Sequence, residues 1–219
     1  MRTCAIFDLD GTIINRSSER VFLNYLLSNG EIPLGNLLRW TAYFIKSRNL
    51  RESKANKVYL RGLEYEHICA MAQLCVAERL INSISPRVFE HIEFHRAEGR
   101  TVIILSGSLE ILIRLFHNHL KTDMMIGNVL EVVNGTVTGR RIGRNCYGEN
   151  KAILVQQIAT EHGFDLSQSY AYGNHYSDAH KLHLVGHPVA VNPDGKLRRI
   201  AAANGWRIEQ FHDKLGFTR

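Results

Sequence analysis

The chain has 219 residues, of which 45% are hydrophobic and 22% are charged. This length and balance are ordinary for a globular protein with one core, or with one core and a small accessory domain. No run of about eighteen apolar residues occurs, so no transmembrane helix is expected. The formal net charge of +6 favours anionic partners. No basic stripe interleaved with aromatic residues accompanies that charge, so nucleic acid is not an expected partner.

The cysteines and the N-terminus predict a cytoplasmic location. The four cysteines form neither a Cys-x-x-Cys pair nor a disulfide framework, which suits a reducing compartment. We interpret all four as buried or incidental thiols. Met1 is followed almost directly by a predicted strand, which leaves no room for a signal peptide.

The predicted elements follow two patterns along the chain. Residues 3–9 form the first predicted strand, and residues 16–85 show helical periodicity. From residue 88 onward, strands alternate with helices. The helices predicted in the first pattern cover segments around 21–26, 37–45, 55–60 and 68–81. In the second pattern, strands are predicted at 101–105, 124–133, 136–139, 170–172 and 189–191, with helices from 109 and over 151–162, 178–185 and 196–204.

Alternating strands and helices are typical of a parallel sheet with helices on both faces. We therefore predict an α/β fold, with a doubly wound parallel-sheet (Rossmann-like) core and a helical cap inserted after the first strand. The core domain would comprise residues 1–15 and 86–219, and the cap domain residues 16–85. Ligands of such sheets bind at the carboxyl ends of the strands, so polar residues at those ends are the candidates for a site.

The first predicted strand ends in the segment Asp8-Leu9-Asp10-Gly11-Thr12. Because side chains alternate along a strand, Asp8 and Asp10 project to the same side. Two crowded carboxylates repel each other and need a cation, a shared proton or a reaction. An aspartate in such a place can be a covalent nucleophile. A strand-ending Asx turn is the alternative, and the flanking Gly11 and Thr12 favour the catalytic interpretation.

A second polar segment, Ser106-Gly107-Ser108, follows the predicted strand at 101–105. Small residues between a strand and a helix leave backbone N–H groups free to hold an anion. Alternatively, Ser108 caps the next helix and has no other role.

Two further segments complete the set of candidates. Lys151 lies at the start of a predicted helix, where the helix dipole disfavours a cation. That conflict favours a function for Lys151, although an ordinary surface lysine is the alternative. Asn174 and Asp178 follow the predicted strand at 170–172.

Taken in order, the four segments resemble the signature motifs of the haloacid dehalogenase-like superfamily, most of whose members are magnesium-dependent phosphatases. The resemblance runs from residue 5 to about residue 194. The helical block after the first strand is similar to the C1-type cap of the phosphoserine phosphatase-like branch.

The resemblance implies a role for each segment. Asp8 would be the nucleophile that forms an aspartyl-phosphate, and Asp10 the general acid and base. Ser106 and Lys151 would hold the phosphoryl group. The other implied phosphate- or substrate-binding residues are Thr12, Gly107 and Lys57, and the implied Mg²⁺ ligands are Asp8, Asp10, Asn174 and Asp178.

Asn174 is the departure from the family pattern, whose fourth motif has an aspartate at this position. An amide oxygen can bind magnesium but is neutral, so weaker magnesium binding is expected. The implied substrate is a small phosphorylated metabolite. Lys57 lies where amino-acid-phosphate phosphatases have a substrate-binding arginine, and Glu19, Arg20 and Arg61 are the other charged candidates.

Three alternative functions remain. The apolar segment 37–46 has basic flanks and could contact anionic lipid, which suggests a lipid phosphate such as phosphatidylglycerophosphate as substrate. Asn174 suggests a phosphate-binding module with little turnover, against which the nucleophile and acid both argue. A response-regulator-like phosphoacceptor is disfavoured by Asp10 and by the inserted helices.

Overall fold

The protein is described here by a computed structural model that covers residues 2–46 and 56–212, without the side chains of 44–46. Within these ranges seven strands form one sheet, in the order β4-β3-β2-β1-β5-β6-β7. The strands are β1 (Cys4–Phe7), β2 (Thr101–Leu109), β3 (Met124–Val133), β4 (Thr136–Ile142), β5 (Tyr170–Gly173), β6 (His187–Val191) and β7 (Arg207–Glu209).

All neighbouring strands are parallel except β4, which runs antiparallel to β3. Strand β1 lies between β2 and β5, and Phe7 is in register with Ile104 on one side and Tyr172 on the other. The carboxyl ends of these three strands therefore meet at one edge of the sheet. That arrangement brings the polar segments after each strand together.

The helices lie on both faces of the sheet, as the predicted doubly wound fold requires. They are α1 (Ser18–Ser28), α2 (Leu34–Lys46), α3 (Tyr65–Cys75), α4 (Pro86–Ala97), α5 (Glu110–Leu120), α6 (Glu149–His162), α7 (Ala179–Leu182) and α8 (Gly195–Ala203). The described residues form two large apolar clusters, and alternate residues of β1 belong to different ones. Ala5 and Phe7 are part of one cluster, and Cys4 and Ile6 are part of the other. The mostly parallel α/β architecture is thus confirmed.

The described part of 16–85 consists of helices and turns, with strand-type pairing limited to isolated bridges. Phe22, Leu26 and Ile68 of this block belong to the same apolar cluster as Phe7 of the sheet. The block also contacts the β3–β4 hairpin, where Lys57 N–H donates to the Gly139 carbonyl at 3.2 Å. Its status as a separate cap domain stays a prediction.

Several element boundaries differ from the predictions. Strand β2 continues past residue 105 to Leu109, and the register of its pairing with β3 shifts there. The helix predicted at 55–60 is a single 3₁₀ turn, Val58–Leu60, and residue 55 lies outside the described ranges. The helix predicted at 178–185 is a 3₁₀ turn, Tyr176–Asp178, followed by the one-turn helix α7. Gly186 N–H bonds to the Leu166 carbonyl, which turns the chain toward β6.

Strand β7 was not predicted. Its sequence is one apolar residue between two charged ones, which is too short to show a strand period. It pairs only at the edge of the sheet, where charged side chains are common. Tertiary pairing therefore created this element.

Candidate active site

The loop after β1 places Asp8 and Asp10 at the carboxyl edge of the sheet. The Asp8 N–H still pairs with the Tyr172 carbonyl at 3.1 Å, so the nucleophile candidate is anchored to the sheet. The chain then turns at Gly11, whose φ of +80° suits glycine. A Cβ at Gly11 would lie 2.0 Å from Nδ2 of Asn174. Glycine is thus required for Asn174 to approach this loop.

Lys151 joins two carboxylates at the floor of the site. Its Nζ lies 2.7 Å from Oδ1 of Asp8 and 2.7 Å from Oδ1 of Asp178. Lys151 is the third residue of α6, and all three side chains are buried. The structure therefore brings together three of the predicted site residues, which are separated widely along the chain.

Burial and opposite charges compete in this cluster. Burial lowers the pKa of Lys151, but the Asp178 and Asp8 carboxylates outweigh it and leave the pKa raised. For Asp178 the effects have the opposite signs. Burial raises the pKa of this carboxyl group, but the charges of Lys151 and Lys181 outweigh burial and leave the pKa lowered. At Asp8 burial prevails and the pKa is raised, with Lys151 opposing the shift. An ionised Asp8 therefore depends on cations held nearby.

Asp10 is held by two serines. The Ser18 N–H at the start of α1 donates to Oδ1 of Asp10 at 3.0 Å. The Ser108 hydroxyl donates to Oδ2 at 2.9 Å, and the Ser18 hydroxyl donates to Ser108 at 2.8 Å. Burial and the Asp8 charge raise the pKa of Asp10 to about 6, although these hydrogen bonds oppose the shift. A carboxyl group with this pKa can give and take a proton near neutral pH.

Sequence reasoning missed the roles of Ser18 and Ser108. The first N–H groups of a helix lack partners within the helix, so an aspartate shortly before a helix start can accept a hydrogen bond from one of them. That signal could have pointed to Ser18. Ser108 was considered only as a helix cap, but its hydroxyl bonds Asp10, 98 residues away along the chain. No local pattern reveals that contact.

Ser106 and Gly107 line the same cavity as Asp8. The Ser106 hydroxyl accepts a bond from the Ser108 N–H at 3.3 Å. A Cβ at Gly107 would lie 3.0 Å from the Cys146 carbonyl oxygen, so the close approach of the two segments favours glycine. Both residues thus lie where the sequence analysis expected an anion to be held.

Asn174 presents an unsatisfied oxygen to the cavity. Its Oδ1 is buried and has no hydrogen-bond partner in the part of the chain that the structure describes. The described residues contain no group of three or more His, Cys, Asp or Glu that could hold a metal ion. A free amide oxygen near the Asp8 and Asp178 carboxylates is nevertheless a donor set that suits a hard divalent cation.

Lys181 is an unpredicted member of the cluster. It is fully buried, and its Nζ lies 3.5 Å from Oδ1 of Asp178. That Nζ makes no hydrogen bond within the described ranges. Because Lys181 is three residues after Asp178, both lie on one face of a helical turn, and this spacing was a usable signal.

Two predicted binding residues lie outside the cavity lining. Lys57 is buried and its Nζ lies 2.5 Å from Oε2 of Glu19. Thr12 is buried, and its Oγ1 has no hydrogen-bond partner among the described residues. The structure thus brings neither side chain to the cavity. The prediction that they bind phosphate or substrate has no support from their positions.

The cavity has a volume of about 520 Å³. This is larger than a phosphate group needs and matches a small-molecule site. The predicted site residues in its lining are Asp8, Asp10, Ser106, Gly107, Lys151, Asn174 and Asp178. The lining also includes Arg16 from the loop after β1, and Glu19 and Arg20 from the first turn of α1.

The apolar segment 37–46 lies within α2. Trp40 packs edge-on against Tyr59 with ring centroids 6.0 Å apart, while the Leu38 side chain is exposed. None of the described helices is long and apolar enough to cross a membrane. This packing gives no support to contact with anionic lipid, which stays a prediction.

Comparison with protein families identifies the class of this chain. Residues 5–183 match the haloacid dehalogenase-like hydrolase family. A relative from Streptomyces azureus, named "Inhibition of morphological differentiation protein", is 34% identical over 96% of this chain and 79% of its own length. The chain therefore belongs to the haloacid dehalogenase-like hydrolase family, as the motifs indicated.

Other relatives have names that specify a reaction. A histidinol-phosphatase of Neisseria meningitidis is 29% identical over 96% of this chain and 100% of its own. A phosphoserine phosphatase of Mycobacterium tuberculosis is 27% identical over 96% of this chain and 71% of its own.

Solved structures share the fold. A protein of unknown function from Bordetella pertussis superposes with a TM-score of 0.86 at 22% identity, covering 97% of this chain and 100% of its own. A phospho-aspartyl intermediate analogue of phosphoserine phosphatase superposes with a TM-score of 0.68 at 19% identity, covering 98% and 95%. These likenesses confirm the predicted architecture.

Proposed function

We propose that the protein is a phosphatase that hydrolyses small phosphomonoesters through an aspartyl-phosphate. The observation that carries this proposal is that Asp8, Asp10 and Lys151 line a single cavity, with Lys151 in contact with Asp8. Several relatives are named phosphatases, which supports the same reaction class. A module that only binds phosphate would need neither a nucleophile nor a proton donor.

In the first step Asp8 attacks phosphorus, so a new O–P bond forms as the ester O–P bond breaks. Asp10 gives its proton to the leaving oxygen and becomes a carboxylate. Lys151 and the Ser106 hydroxyl stabilise the equatorial oxygens of the phosphoryl group.

In the second step a water molecule attacks phosphorus of the aspartyl-phosphate. Asp10 takes the proton of that water as the Asp8–phosphorus bond breaks. Inorganic phosphate leaves, Asp8 is again a carboxylate and Asp10 is again protonated. Ser18 and Ser108 hold Asp10 in position for both transfers.

The residues that would hold Mg²⁺ are Asp8, Asp178, the Asn174 amide oxygen and the Asp10 carbonyl. The unsatisfied Oδ1 of Asn174 supports this assignment. When bound, the ion offsets the repulsion between Asp8 and a phosphate dianion. Because Asn174 is neutral, and Lys151 and Lys181 already contact Asp178, we expect weak magnesium binding.

We also propose that the helical block 16–85 is a cap that covers the site and selects the substrate. The start of α1 supports this role, because Ser18 bonds Asp10 while Arg20 of the same helix lines the cavity.

The test is phosphate release from p-nitrophenyl phosphate across a magnesium series, with wild type compared with Asp8→Asn. We expect magnesium-dependent turnover in the wild type and background rates in the variant. A folded wild type without turnover at any magnesium concentration would refute the proposal. The metal ligands are tested separately by Asn174→Asp, which should increase the thermal shift caused by magnesium. An unchanged shift would place residue 174 outside the coordination shell.

A further inference from the structure

Two arginines line the active-site cavity in addition to the residues of the four motif segments. Arg16 lies in the loop between β1 and α1, and Arg20 lies in the first turn of α1. Both side chains are exposed, and neither has an ion pair or hydrogen bond to any other residue in the described ranges. Because the motif segments supply the groups for the transferred phosphoryl group, these two guanidinium groups are available to the rest of a substrate.

The carboxylate that lies between these arginines in the sequence already has a cationic partner. Glu19 lines the cavity between them in sequence, but its Oε2 is 2.5 Å from the Lys57 ammonium. Burial lowers the pKa of Arg141 and the nearby Glu19 carboxylate opposes that shift, so Arg141 is a second cation close to Glu19. Among the described residues, Arg16 and Arg20 therefore add positive charge to the cavity lining that Glu19 does not offset.

We propose that Arg16 and Arg20 bind a second anionic group of the substrate, so that the preferred substrates are phosphomonoesters with a carboxylate or a further phosphate. A guanidinium group presents two parallel N–H donors to either anion. The contact therefore depends on the orientation of the anion as well as on its charge. This inference rests on the proposed phosphatase function and names its substrate class.

The proposal moves substrate recognition away from Lys57. That lysine was expected to pair with a substrate carboxylate, but it is buried against Glu19 and lies outside the cavity lining. The Lys57–Glu19 pair instead keeps Glu19 from repelling an anion.

The experiment uses substrate pairs that differ in one carboxylate. O-phosphoserine is compared with O-phosphoethanolamine, and phosphoglycolate with ethyl phosphate, each as kcat/KM. We expect the carboxylate member to be preferred by about tenfold or more in both pairs. Equal rates within both pairs, or preference for the member without the carboxylate, would overturn the proposal.

The arginines are then tested in the double variant Arg16→Ala/Arg20→Ala. We expect the preference for the carboxylate member to fall by about tenfold, with most of the change in KM. The control is Arg199→Ala, an exposed arginine of α8 outside the cavity lining, in which the preference should stay as in the wild type. A double variant that keeps the wild-type preference would show that other residues bind the second anion.

The reference substrate p-nitrophenyl phosphate separates this inference from the proposed function. Turnover of p-nitrophenyl phosphate without preference in either pair would refute the second-anion site and leave the phosphatase standing. Absence of turnover with every substrate, in a folded protein, would refute the phosphatase and with it the inference.

Discussion

Two buried polar clusters lie against β1 and β5, and they differ in whether their central groups form ion pairs. The catalytic cluster keeps Lys151 within 2.7 Å of both Asp8 and Asp178. The second cluster is centred on Tyr172, whose hydroxyl is hydrogen-bonded to Nε2 of His95 at 2.8 Å. In the first an ammonium group directly contacts two carboxyl groups, whereas the second has a neutral hydrogen bond at its centre.

The surroundings explain the contrast. Burial, with Arg100 and His91 nearby, lowers the pKa of His95 to about 3, so its ring is neutral at physiological pH. Phe7 stacks on Tyr172 with ring centroids 4.2 Å apart, which keeps this region apolar. An ionisable group therefore stays charged in this interior only where an opposite charge touches it. Such contacts occur in the catalytic cluster, where the proposed chemistry needs charge.

The strongest test of this comparison is Lys151→Met. Phosphatase activity should fall by about a thousandfold or more, because the phosphoryl group loses its principal cation. The free energy of unfolding should also fall, by about 3 kcal/mol, because two buried carboxylates lose their shared partner. Steady-state kinetics and urea unfolding measure the two effects. Activity within tenfold of wild type would contradict the assigned role.

The neutral cluster predicts a dependence of stability on pH. An unfolded histidine binds a proton near pH 6.5, whereas folded His95 does so only near pH 3. The unfolded state thus binds more protons between these values. The contribution of His95 to stability is complete above pH 6.5 and is lost as pH falls toward 3. The titratable or charged groups that face its ring are His91, Arg100, Tyr170 and Tyr172.

Urea unfolding from pH 7 to pH 4 measures this effect in wild type and in His95→Gln. The wild type should lose up to about 1.4 kcal/mol more per pH unit than the variant. His119→Gln, an exposed position in α5, is the control and should keep the wild-type slope. Equal slopes for wild type and His95→Gln would show that folding does not lower the pKa of His95.

A smaller effect is expected from Tyr172→Phe. The change removes the hydroxyl that bonds His95 and leaves a buried ring nitrogen without that partner. The expected loss is about 1–3 kcal/mol in the free energy of unfolding. Tyr43→Phe, at an exposed position, should change stability by less than about 0.5 kcal/mol. Equal effects of the two variants would mean that the His95–Tyr172 bond contributes nothing.

The smallest effect, and one of opposite sign, is expected from Lys181→Met. Its buried ammonium makes no hydrogen bond in the described structure, while Asp178 retains Lys151 as a partner. Replacing it with an apolar side chain of similar size should raise stability by about 1 kcal/mol. Lys151→Met is the matched comparison, with the same substitution and the same carboxylate. A loss of more than about 1 kcal/mol would show that Asp178 needs both lysines.

Local patterns in the sequence were enough to predict the fold class and the core of the site. The alternation of strands and helices required a mostly parallel sheet. The spacing of Asp8 and Asp10 placed two carboxylates together at a strand end. The position of Lys151 at a helix start contradicted the helix dipole, and this conflict identified a residue that does contact Asp8.

Tertiary structure alone decided the partners of those residues. The Ser108–Asp10 bond, the Lys57–Glu19 pair and the unpredicted strand β7 all depend on segments distant in sequence. Their energies come from groups that meet only after the chain is folded. The hydrophobic period of a segment indicates which face of its helix or strand a residue occupies. It does not indicate which residues of other segments pack against that face. The chemical class was therefore readable from the sequence by itself, whereas the hydrogen bonds that hold Asp10 and the pairing of Glu19 beside the cavity were set by long-range packing.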